Sequence, residues 1–194
     1  MARTPDRRVL RTQQLLRSAL LSLIQEKGFE DLSVQEIIDR ANVGRATFYA
    51  HFDSKEDLLA SGIENLRASL QERQRRATTQ STGDGRLLAF SHELFLHANE
   101  HREVFRAMVG KRSGAVVQQL LHKMLVDLVR DELQPMTRLH DKGASPNEAA
   151  VQVVAGGLFG LLIWWGSGKM RMPVDEVDAL FRRLAIPALK VALL

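Results

Sequence analysis

Three observations predict an all-α protein. No stretch of the 194 residues alternates apolar and polar with period two for long, as a half-buried strand would. Apolar residues recur instead at spacings of three and four along most of the chain. Ser, Asn and Gly stand at the points where such segments would start or stop.

The first helix is expected from Thr12 to Gly28. Leu16, Leu20, Leu23 and Ile24 form its apolar stripe, widened by Leu15 and Ala19. Gly28 after Lys27 is a stop, and Phe29 and Leu32 turn the connection back onto the core. Ser33 and Glu36 have capping-box spacing, so the second helix starts after Ser33 and buries Ile37, Ile38 and Ala41. Asn42 tolerates the left-handed backbone of a tight turn, and Val43 plugs that turn. The third helix is expected over Arg45 to Phe52, with Phe48 and Phe52 on its inner side. Ser54, with Asp57 three residues on, starts the fourth, which carries Leu58, Leu59, Ile63, Leu66 and Leu70. Thr78 to Gly85 reads as a linker. Further helices are expected at Arg86 to Glu100, Arg102 to Val109, Gly114 to Leu133, Pro146 to Trp165 and Val174 to Leu193.

Composition narrows the function. The chain has no cysteine, which excludes disulfides and thiolate metal sites and suits a reducing cytoplasm. The polar N-terminus gives no sign of a signal peptide. The most apolar run, Val153 to Trp165, is shorter than the roughly 20 residues of a bilayer span, so no membrane is expected as a partner. The net charge of +4 leans toward anionic partners. Its distribution leans further: Arg3, Arg7, Arg8, Arg11 and Arg17 face a single acid, Asp6, either as a basic arm or as a solvated tail.

Residues 33 to 55 carry the strongest signal. Two short helices meet at a tight turn, and the second offers Arg45, Thr47, Tyr49 and His51 with no acid among them. Such donors suit phosphates and base edges in double-stranded DNA. The Arg45 fork can pair with guanine O6 and N7, a contact worth about 1–3 kcal/mol of discrimination. Tyr49 and His51 can reach phosphates, and Thr47 can offer a hydroxyl or a methyl.

This block resembles the TetR/AcrR family of bacterial transcription regulators. The resemblance lies in Thr12 to Gly28, Ser33 to Ala41, Asn42-Val43-Gly44 and, most specifically, Thr47 to Leu58. It implies a helix-turn-helix DNA-binding domain over 1–54 and a larger helical effector-binding and dimerisation domain over 55–194. It implies a homodimer that acts as a ligand-responsive repressor on a near-palindromic operator. By position, Arg45, Ala46, Thr47, Tyr49 and His51 fall where the family touches DNA, Lys55 on a phosphate contact, and Thr12 and Ser33 on further ones. Many relatives carry Ser or Thr at the position of Gly44 and Gly at that of Asn42. Gly44 must therefore cap the third helix through its backbone, at little cost.

In the larger domain, Phe90, Phe95, Phe105, Met108, Met124, Leu128, Phe159 and Trp164 could line a pocket for an apolar small-molecule effector, or simply fill the core. Gly156, Gly157 and Gly160 offer a small-residue face. With Leu161, Phe181 and Leu184 (and Leu189 and Val191 beyond them) it is the expected dimer interface, intrachain packing being the alternative. Glu93, His97 and His101 share one helix face at metal-binding spacing, yet a solvated polar face accounts for them, and neither metal nor cofactor is expected. No nucleophile-base pair or phosphate loop is present, so an enzyme is not expected. The competing reading is a co-regulator whose larger domain binds a partner protein.

Overall fold

The computed structural model describes residues 7–80, 87–110, 114–140, 147–168 and 171–192. Among them are nine helices and no strand, in agreement with the all-α expectation: α1 (Arg7–Lys27), α2 (Val34–Ala41), α3 (Arg45–Tyr49), α4 (Lys55–Gln80), α5 (Phe90–Glu100), α6 (Arg102–Val109), α7 (Gly114–His140), α8 (Glu148–Ser167) and α9 (Val174–Ala192).

The caps form as their residues dictate. Ser33 Oγ accepts from the Glu36 amide, and Glu36 accepts from the Ser33 amide at 3.0 Å. Asn42 takes the left-handed conformation at φ 51° that ends α2. Ser54 Oγ accepts from the Asp57 amide, while Asp57 reaches one residue further back, to the Asp53 amide. Asn147 accepts from two amides at the head of α8.

Several bounds differ from expectation. Helix α1 begins five residues earlier, so Arg7, Arg8 and Arg11 lie on its first turns; Arg3 and Asp6 lie outside the described residues. Leu15 does not join the stripe, being 45% exposed. Helix α3 ends at Tyr49, although hydrogen bonds to Phe48 O carry the chain through Phe52 as a turn. Helix α4 takes in Thr78 to Gln80, and the rest of the expected linker lies outside the described residues. Helix α5 starts at Phe90 because Leu88 turns with φ 55°. Helices α7 and α8 each extend further, to His140 and Ser167.

The chain forms two compact units, residues 1–64 with 103–118, and residues 65–102 with 119–194. In the first, α1 packs along α2, and Leu16, Leu20, Phe29, Ile37, Phe48 and Leu58 make a core almost closed to solvent. In the second, α9 packs along both α5 and α8 around Phe90, Phe95, Leu125, Val129, Leu158 and Trp165.

Candidate nucleic-acid interface

Helix α3 has five residues and buries one of them, Phe48. That ring meets Phe52 at 6.1 Å and Tyr49 edge-on at 5.3 Å, so the helix is pinned by aromatic packing and not by its own length. Gly44 caps it with no side-chain bond, its carbonyl accepting from the Thr47 and Phe48 amides. A Cβ at Gly44 would meet Thr47 Oγ1 at 3.6 Å, an ordinary contact, so the site has room for a small side chain.

The outward face is polar. Arg45, Ala46 and Tyr49 are exposed, and Thr47 and His51 are half-buried beside them. The Arg45 guanidinium lies 5.5 Å from the Tyr49 ring centroid, and its Nη1 donates weakly to Gln35 Oε1 at 3.5 Å. The structure thus groups Arg45, Tyr49 and Gln35, of which Gln35 was not expected. It lies exposed on α2, where its own bond to Asp39 also holds it.

Two expected contacts take other roles. The Lys55 ammonium donates to Phe29 O, Glu30 O and Leu32 O at 3.0, 3.0 and 2.8 Å, and lies 4.8 Å from the Phe29 ring centroid. All three of its donors hold the α1–α2 connection, so the expected phosphate contact gives way to a clamp between α4 and that loop. Ser33 likewise has its hydroxyl committed to the Glu36 cap. Glu36 is itself bonded to Lys27 and to Ser33, which together draw its carboxyl down to about 2. Thr12 is half-buried along α1. Near the clamp, Gly114 has φ +77°, and a Cβ there would overlap the Glu30 side chain at 1.8 Å, so α7 starts close against the same loop.

In the second unit the expected pocket residues separate. Phe90, Phe95, Met124 and Leu128 are core, and Phe159 is half-buried against His122. Phe105 and Met108 belong to the first unit. Trp164 is 54% exposed and lines no interior; the buried tryptophan is Trp165, edge-on to Phe95 at 5.4 Å with Nε1 donating to Met172 O. Phe181 and Leu189 are core within their own chain and leave the expected interface set. An open groove of about 480 Å³ along α9 has Ile186 and Pro187 beside Arg182, Arg183, Lys190 and Asp178.

Two acids of the second unit, buried Asp178 and half-buried Glu132, were not expected. Ser91 Oγ bonds both Leu88 O and the Asp178 carboxylate. Burial raises the Asp178 carboxyl above the usual range, and burial pushes Glu132 up to about 7 despite the Leu88 amide, Arg182 and Gln74. Only an acid recurring among apolar residues at helical spacing could have signalled them.

Helix α8 is long and apolar enough to span a bilayer by length and composition alone, because it extends beyond the Val153–Trp165 run. One side, with Val151, Val154, Ala155, Leu158, Leu162 and Trp165, is buried in its own chain. The other side bares Val153, Gly157, Gly160 and Trp164 in helical register. A Cβ added at Gly156, Gly157 or Gly160 would meet nothing within 4 Å, so no packing among the described residues requires these glycines.

Comparison with known proteins agrees with this layout. The family model described as "Bacterial regulatory proteins, tetR family" matches residues 16–61, and "Transcriptional regulator C-terminal region" matches residues 86–186. An uncharacterised helix-turn-helix transcriptional regulator of Bacillus subtilis, YxbF, is 38% identical over 66 residues, covering 34% of this chain and 17% of that protein. The chain spans less than half the length of the curated relatives it matches. Among solved structures, a TetR-family transcriptional regulator from Syntrophomonas wolfei superposes with TM-score 0.72 at 17% identity, covering 90% of this chain and 92% of that one. FadR of Bacillus subtilis, a transcriptional regulator solved in complex with stearoyl-CoA, superposes with TM-score 0.63 at 16% identity over 93% and 97% of the two chains.

Proposed function

The chain belongs to the TetR family of bacterial transcriptional regulators, and from that premise we propose that it is a ligand-responsive repressor that binds a near-palindromic operator as a homodimer. The observation that carries the DNA reading is the exposed, acid-free face of α3, with Arg45 stacked over Tyr49 and Thr47 and His51 beside them. A short helix pinned by one buried ring presents donors in a fixed register, as base-edge recognition requires. Arg45 reads a base, while Tyr49 and His51 contact phosphates.

The homodimer reading rests on the bare side of α8. Gly157 and Gly160 lie between exposed Val153 and Trp164, with Leu184 of α9 67% exposed. A smooth apolar face of this kind suits the same face of a second copy under two-fold symmetry. The effector of this reading is apolar, and a long acyl chain like that of the stearoyl-CoA bound to FadR is a fitting class.

Capture of fragmented genomic DNA by the purified protein, followed by sequencing, tests this reading. The expected result is a two-fold symmetric motif with half-sites spaced by about one helical turn or a multiple of it. An asymmetric half-site alone would remove the homodimer, and no enrichment at all would remove sequence-specific DNA binding.

A further inference from the structure

The last turn of α5 brings His97, Glu100 and His101 together, with one donor atom of each lying within 4.8 Å of the others. The two imidazole centroids are 4.6 Å apart, their planes tilted by 56°. By helical spacing alone, Glu93 would share the face of this pair. Glu93 instead pairs with Arg73 at 2.6 Å, and Glu100 takes its place beside the histidines.

We propose that His97, Glu100 and His101 form a binding site for one divalent transition-metal ion of the Zn²⁺, Co²⁺ or Ni²⁺ type. Two imidazoles and one carboxylate are a borderline donor set that selects such ions over Mg²⁺ or Ca²⁺. Bonds of about 2.0–2.2 Å need donors somewhat closer together than here, and these side chains can close the gap by rotation, since Glu100 and His101 are exposed and His97 is half-buried. Three protein ligands leave a further position for water.

The surroundings favour a cation. The site stands at the C-terminal end of an eleven-residue helix, where the backbone dipole is negative. Glu100 adds a full negative charge, and the charge of neighbouring Arg73 is balanced by Glu93. His101 is also the C-cap of α5, and α6 opens at the next residue. A bound ion would therefore brace the last turn of α5. The site stands on this geometry alone and does not depend on the regulatory reading.

Titration of the tag-free full-length protein with Zn²⁺ by calorimetry, and with Co²⁺ by its visible absorption, tests the assignment. One ion per chain is expected. His97→Ala and His101→Ala should each weaken binding by at least about tenfold, a loss that even outer-shell changes cause at metal sites. Glu100→Gln should weaken it less, and His92→Ala should leave it unchanged. Far-UV circular dichroism checks that each variant folds. On the wild type, Zn²⁺ should shift the ring resonances of two histidines and spare those of His92 and His122. No binding by the wild type, or binding kept by both His97→Ala and His101→Ala, overturns the site while leaving the DNA reading untouched.

Discussion

The two units place their polar groups in opposite ways. The first keeps them at its surface: ion pairs such as Arg40 with Glu26 lie outside, and Arg45, Tyr49 and His51 face away from a core of Leu, Ile and Phe. The second folds polar groups inward. The two side chains among the described residues that are polar and fully buried, Ser91 and Asp178, both belong to it, and its bared apolar residues Val153, Trp164 and Leu184 are more exposed than Leu10, Leu15 and Tyr49 of the first. A surface of exposed donors suits a polyanion, whereas an apolar surface suits another apolar surface.

The largest test of this contrast is Phe48→Ala. The ring is fully buried and is the single anchor of α3, so truncation should cost about 3–5 kcal/mol in urea unfolding and abolish operator binding. A cost under about 1 kcal/mol would mean that α3 is held by something other than its aromatic packing.

Next is Glu132, a half-buried acid of the second unit. The folded-state pKa of Glu132, about 7, lies above its ordinary value of 4.5. Between those pH values the folded chain keeps a proton that the unfolded chain has lost. Stability should therefore fall as pH rises from 4.5 to 7 and level off above, by something on the order of 2–3 kcal/mol. Glu132→Gln should flatten that slope in a series of denaturant midpoints, and an unchanged slope would assign it to other groups.

Lys55→Met separates a clamp from a DNA contact. Removing three donors from the α1–α2 loop should cost about 1–3 kcal/mol in stability. The salt dependence of DNA binding should not change. A slope reduced by about one charge, with stability intact, would restore Lys55 to the phosphate backbone.

Gly160 gives the smallest folding effect and the clearest sign. Because a Cβ there meets open space, Gly160→Ala should stabilise the folded chain by about 0.5–1 kcal/mol through helix propensity. Gly160→Leu should nevertheless shift sedimentation toward monomer. A dimer that survives the leucine would place the interface elsewhere.

Local chemistry was legible in the sequence. The caps at Ser33, Asn42 and Ser54 involve residues within three or four positions of one another, and Phe48 with Phe52 is a single helical turn. Distant pairings were not. The carbonyls that hold Lys55 come from a loop more than twenty residues upstream, and Ser91 meets Asp178 across 87 positions. Helix α8 is apolar on every side, so hydrophobic periodicity could not decide which of Trp164 and Trp165 faces inward. Phe181 was misplaced for a related reason, since an apolar residue looks alike whether its own chain or a second copy covers it.

Binding titrations of the wild type and Arg45→Ala, on the captured operator and on unrelated duplex DNA, test the central claim most directly. The account predicts a loss of about 1–3 kcal/mol on the operator, a smaller loss on unrelated DNA, and relaxed preference at one base pair of each half-site. Equal loss on both DNAs would make Arg45 a backbone contact and contradict base reading by α3.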